Sequence, residues 1–176
     1  MPTTFTRCPA QVTELAADIL TSFDTHRPLL DAKVKIDYVF AHAERDEKTG
    51  QPKGPALKKN GIPAMGIARK VGLKDRAKGM GDAEICLDAD HWEGIGEADR
   101  RALLDHELHH LAIKIDKRGL VRDDLGRPVI QIRLHDVDIG WFAIIAQRHG
   151  KASFEVQQAR QIMDDHGQFF WPEMVK

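Results

Sequence analysis

The sequence predicts an α+β domain, with helices and strands in separate runs rather than in regular βαβ alternation. Three observations lead there. Apolar residues recur at helical spacing in four segments. Shorter stretches rich in β-branched and apolar residues have strand character. The order along the chain is helix, strands, helix, hairpin, helices.

Each element has its own signal. Residues 10–23 carry Val12, Leu15, Ala16, Ile19 and Leu20 at the spacing of an amphipathic helix. Residues 34–41 alternate apolar and polar side chains before turning apolar, which reads as a strand. Gly50, Pro52, Gly54, Pro55, Gly61 and Pro63 make residues 44–63 a long loop. A second strand follows at 64–71 and a third at 83–90. The clearest helix spans 96–116: Glu97 and Asp99 suit the positive end of its dipole, Lys114 and Lys117 lie near its end, and Gly119 stops it. Residues 119–133 read as a hairpin turning near Asp124-Leu125-Gly126, and 135–149 and 153–165 as two more helices. The domain is expected over 1–152, with a helical tail at 153–176. There is no internal repeat.

Composition narrows the function classes. Apolar residues at 42% and charged residues at 30% are globular values, neither disordered nor membrane-like. A formal net charge of -1 gives the whole chain no strong attraction to nucleic acid. Cys8 and Cys86 form no CxxC or finger spacing, so reduced thiols in the cytoplasm are expected. The start Met1-Pro2-Thr3-Thr4-Phe5 lacks the pattern of a signal peptide, and no stretch approaches the roughly 18 apolar residues of a membrane span.

Nine histidines are many for 176 residues, and their placement carries the chemistry. His106-Glu107-Leu108-His109-His110 is an HExxH motif. Histidines at i and i+4 share one helix face, so two ring nitrogens can reach a common zinc at about 2.0–2.1 Å. Glu107 is then placed as the general base toward a zinc-activated water whose pKa falls to about 7. Leu104, Leu108, Leu111 and Ile115 form an apolar stripe, and His106 and His110 lie off it. Leu103 and Ile113 flank the pair, so this side is expected to face a second layer across a cleft. His109 lies off the His106–His110 face and is read as supporting the site from behind or as exposed.

A catalytic zinc needs a third protein ligand and an open position. The candidates cluster at Leu134-His135-Asp136-Val137-Asp138. His135 is the first choice, because imidazole matches the other two ligands; Asp136 and Asp138 are the rivals. An acid that does not bind zinc can hold the second ring nitrogen of a ligand or simply complement a helix N-terminus. Asp105, just before His106, has the same two readings.

The run Ala102-Leu103-Leu104-Asp105-His106-Glu107-Leu108-His109-His110-Leu111 resembles the phage metallopeptidase family. The resemblance extends to the hairpin step Gly126-Arg127, to His135-Asp136-Val137-Asp138, to Arg148-His149-Gly150, and upstream to Val34–Phe40 and Gly66-Ile67-Ala68-Arg69-Lys70-Val71. It covers roughly 33–150. It implies a minimal zincin-like fold: a small sheet, an active-site helix, a hairpin, and a following helix that brings the last ligand. In outline this is similar to SprT-like proteases and to gluzincins, whose distant third ligand is usually Glu; here that region offers only His135, Asp136 and Asp138. In zincins the strand before the active helix often lines the substrate groove. Residues 83–90 fill that position, as a peptide-binding edge or as an ordinary half-buried strand.

The leading expectation is a zinc metallopeptidase: zinc held by His106, His110 and His135, Glu107 as general base, and a protein or peptide as substrate. The alternative is a non-catalytic nucleic-acid- or protein-binding module that keeps the zincin shape and the zinc. Residues 44–79 bear on it, with ten Lys or Arg against four acids, net +6, which reads as a mobile basic arm or a solvated loop. No aromatic residue is interleaved there for base stacking. Tyr38, Trp141, Phe142 and Phe154 read as core, and Phe169, Phe170 and Trp171 as a cap or a partner contact.

Overall fold

The computed structural model describes residues 3–135 and 142–166. Asp136, Asp138, Trp141, Phe169, Phe170 and Trp171 therefore lie outside the described residues. Residue contacts divide the chain into two units, 1–134 and His135 onward.

In the first unit a short strand β1 (Thr4–Arg7) precedes α1 (Ala10–Ser22), the predicted first helix. A single 3-10 turn (Asp24–His26) leads into α2 (Arg27–Asp31), with Pro28 in its first turn, where its missing N–H costs nothing. Strand β2 (Ile36–His42) follows as expected. The predicted long loop contains structure: β3 (Leu57–Lys59) and β4 (Ile62–Ala64) form a hairpin. Asn60 and Gly61 turn it, both with positive φ, as a tight type I′ connection requires. Strand β5 (Gly66–Lys70), helix α3 (Leu73–Ala77), strand β6 (Ala83–Asp88) and helix α4 (Ala89–Gly94) follow. Residues 44–79 are thus built into a hairpin, a sheet strand and a helix, and do not form a separate arm. Several of their cations are engaged: Arg69 with Glu84, Arg76 with Asp82 and Asp123, Arg45 with Asp90.

The main sheet runs β1-β2-β6-β5. β2 and β6 are parallel, and the outer pairs are antiparallel. All six residues of β6 are buried, because strands flank both its edges and side chains cover both its faces. This corrects the expectation that 83–90 could offer a peptide an edge: β6 is interior, and β5 ends the sheet.

One face of the sheet carries Tyr38, Phe40, Ile85 and Leu87. They join a core with Val12, Ala16 and Ile19 of α1 and with Leu104 and Leu108 of α5 (Glu97–His109). Burying each large aliphatic side chain contributes about 1.5–3 kcal/mol, so this face fixes where α5 lies. The other face is smaller, with Ala41, Cys86 and Leu57 at its centre and Ala64 and Ile67 against them. Tyr38 is core, as expected, and burial raises its pKa. Cys8 and Cys86 are free and buried; burial pushes both thiols up to about 12, so neither is a nucleophile at neutral pH.

The helix predicted over 96–116 stops at His109. The chain goes on as β7 (Leu111–Ile113), β8 (Ile115–Asp116), β9 (Gly119–Leu120) and β10 (Ile130–Ile132), with β7 pairing β10 and β8 pairing β9. Leu111 is buried, but from a strand; Ile115 is 65% exposed and takes no part in an apolar helix stripe. The turn expected near Asp124 is present: Gly126 N–H donates to Asp123 O at 2.8 Å, and Asp123 N–H to Arg127 O at 2.9 Å.

The second unit contains α6 (Ala143–His149), a 3-10 turn (Gly150–Ala152) and α7 (Phe154–His166). Ser153 caps α7, its hydroxyl accepting from Val156 N–H at 3.2 Å. Phe142 and Ile145 are buried, and Phe154 is half-buried. The helix predicted from 135 is described only from Ala143; His135 itself is not helical. The whole is a mixed α+β arrangement with a small sheet and several helices, as the sequence predicts. No helix among the described residues is long and apolar enough to cross a membrane.

Candidate metal centre

From Ala102 to His109 every residue of α5 is buried. Leu104 and Leu108 take the core face, which turns His106 and His110 elsewhere. One helical turn separates the two imidazoles, whose ring centroids lie 5.1 Å apart at 77°.

What ends the helix also orients the second imidazole. The last carbonyls of a helix need donors from outside it. Arg133 supplies them: its N–H donates to His110 O at 2.7 Å and its Nη1 to His109 O at 2.8 Å. A cation at that position also complements the negative end of the dipole. The Arg133 carbonyl in turn accepts from His110 Nδ1 at 2.8 Å. A carbonyl can only accept, so Nδ1 carries the proton and, in the neutral ring, the lone pair sits on Nε2. That is the state a metal ligand needs, held by the kind of acceptor that commonly orients one.

Glu107 is buried and lies against the backbone of β5. A Cβ added at Gly66 would come within 2.7 Å of Glu107 Oε1 and 2.8 Å of its Cδ. Only glycine leaves room for the carboxylate here. Beneath the helix, His26 Nε2 donates to Asp105 Oδ1 at 2.6 Å, with both residues essentially inaccessible. His109 is buried, not exposed, and its ring stands edge-on to His26 at 6.0 Å.

A family model described as Putative phage metallopeptidase matches residues 3–166. The chain belongs to this metallopeptidase family. No curated protein and no solved structure matches it.

Membership in a metallopeptidase family raises the question of whether the residues present suit a metal. His106 and His110 present two imidazoles from the end of α5 that could share a metal ion, and His135 opens the second unit. The donors are imidazole ring nitrogens, and in His110 the Nδ1 proton is held on the Arg133 carbonyl. The set fits a borderline-soft divalent ion. His135 is two residues beyond Arg133 and half-buried; its ring lies 4.8 Å from that of Phe142.

Three residues of this region escaped the sequence reading. His26 lies 79 positions from Asp105, and nothing in its neighbourhood marks it. Gly66 looks like any glycine opening a strand. Arg133 closes the strand-like run Val129–Arg133, and its cap became visible only once α5 was seen to stop at His109. The excess of histidines was the one signal that could have pointed to His26.

Proposed function

We propose that the chain is a zinc-dependent peptidase in which His106, His110 and His135 hold the ion and Glu107 is the general base. The observation that carries this reading is the pairing of an oriented His110 with a buried Glu107 beside it on the same helix turn. A module that only bound zinc would have no use for a carboxylate seated against Gly66. Bound zinc would supply Lewis acidity, lowering the pKa of water and polarising the scissile carbonyl. Glu107 takes the proton from the attacking water and returns it to the leaving nitrogen, as a new C–O bond replaces the C–N bond. His110 keeps its Nδ1 proton on the Arg133 carbonyl throughout. Protein or peptide is the substrate class that family membership supports, and buried reduced thiols suit a cytoplasmic protein.

The test is metal content by elemental analysis, paired with peptide hydrolysis, on wild type and single variants. Wild type and Glu107→Gln should each retain about one zinc per chain, with hydrolysis only in wild type. His106→Ala and His135→Ala should lose the ion. If His135→Ala keeps its zinc, the third ligand moves to Asp136 or Asp138. A wild-type protein that holds no zinc after zinc is supplied would remove the peptidase reading.

A further inference from the structure

At the end of β6 away from Glu107, a cavity of about 280 Å³ opens between the C-terminus of α2 and the hairpin turn at 122–128. Lys33, Lys35, Arg122 and Arg127 line it, with Asp31 and Asp82 as the two acids. We propose that this cavity is a binding site for a small phosphate-class oxyanion.

Charge decides the ligand class. Both acids are already committed. Asp82 Oδ1 accepts from Arg76 Nη2 at 2.5 Å and Arg127 Nε at 2.8 Å, and its Oδ2 accepts from Lys35 N–H at 2.7 Å. Asp31 pairs with Arg27 at 3.1 Å. Lys33, Lys35 and Arg122 have no carboxylate within ion-pair distance among the described residues. The cavity lining therefore has four cations against two acids, and the buried acid, Asp82, is already compensated by Arg76 and Arg127. Arginine and lysine together supply the fork and the point charge that bind phosphate oxygens.

Lys33 adds an independent observation. It stands at φ +54°, just past α2, with its N–H donating to Leu30 O and the next N–H, of Val34, to Leu29 O. That bonding pattern ends helices on glycine, the residue at ease with positive φ. A lysine held in an unfavourable backbone conformation at the cavity suggests that its charge has a use.

The site is separate from the metal centre. Asp82 precedes β6, whereas Gly66, which lies against Glu107, pairs with Leu87, five residues further along the strand or about 16 Å away. The volume exceeds that of a single phosphate and suits pyrophosphate or a phosphate with a small substituent.

The test is the melting temperature against pyrophosphate at constant ionic strength. Wild type should show a saturable rise, roughly 3–6 °C once the ligand is at about ten times its dissociation constant. Lys33→Gly with Arg122→Gln should weaken the apparent affinity at least tenfold. The glycine relieves the backbone strain, so loss of binding cannot be blamed on misfolding. His106→Ala should respond as wild type does. Three results would overturn the proposal: a rise that never saturates, which is salt exclusion; an unchanged response in the double variant; or a response lost in His106→Ala, which would put the anion at the metal centre.

Discussion

At the start of β6, Asp82 sits between Arg76 and Arg127, and Arg76 reaches on to Asp123 at 2.7 Å. At its other end, buried polar groups of another kind gather on α5: Glu107 against Gly66, and His110 with its ring nitrogen on a main-chain carbonyl. The first set consists of full charges that neutralise one another and tie three segments together: α3, the approach to β6, and the hairpin turn. The second set is dominated by imidazoles, which are neutral when they bind metals and whose orientation is fixed from behind. Burial has a different meaning in the two places. Where charges cancel internally, the cluster holds tertiary structure. Where imidazole donors are oriented from behind, the site suits an added ion. Substitutions at the first end should register in stability and those at the second in chemistry.

The largest expected effect is at Glu107. Glu107→Gln keeps the shape and removes the proposed base, so turnover of a peptide substrate should fall about 10²–10⁴-fold. Melting temperature and zinc content should be unchanged. Turnover close to wild type would show that Glu107 is not the base. The counterpart at the other end is Asp82→Ala, which takes their shared carboxylate from the buried Arg76 and the half-buried Arg127. Breaking a buried pair this way costs about 3–5 kcal/mol, a fall in Tm on the order of 10 °C. Below that melting point, turnover per folded molecule should match wild type; a large loss of turnover would erase the contrast between the two ends.

Gly66→Ala sharpens the comparison on one side chain. The three atoms nearest the added Cβ are Oε1, Cδ and Cγ of Glu107, all within 2.8 Å of it, so the carboxylate must move. Turnover should drop by about one to two orders of magnitude, as expected for a misplaced catalytic group, with zinc retained and Tm nearly unchanged. A variant that loses its zinc together with its activity would mean that β5 supports the ligands as well.

Much of this was legible in the sequence, and the exceptions have physical reasons. The first helix, the strands near 36–42, 66–70 and 83–88, and the buried HExxH turn announce themselves by periodicity and spacing, which are local properties. The hairpin at 57–64 was hidden because six glycines and prolines dominate residues 44–63, although Asn60-Gly61 is a strong turn signal. The end of α5 was misplaced because apolar residues continue at helical spacing to Ile115; the stop comes from Arg133, more than twenty residues later. His26 and Gly66 acquire their roles only through tertiary contact, which no local pattern encodes.

Arg133 should give the smallest effect and the most informative one, because it acts on the fold and on the site together. Arg133→Ala removes the Nη1 donor to His109 O but keeps the main-chain carbonyl that accepts from His110 Nδ1. Losing a charge-assisted bond at a helix C-terminus costs about 1–2 kcal/mol, a fall in Tm of roughly 2–8 °C. Zinc affinity should fall by no more than about tenfold, the low end of what support residues contribute, whereas His110→Ala should abolish binding. Competition with a chromophoric chelator separates the two. A loss as severe as that of His110→Ala would mean that the side chain, through the helix end, holds the imidazole as firmly as the carbonyl does. The division between structural and chemical clusters would then fail at this residue.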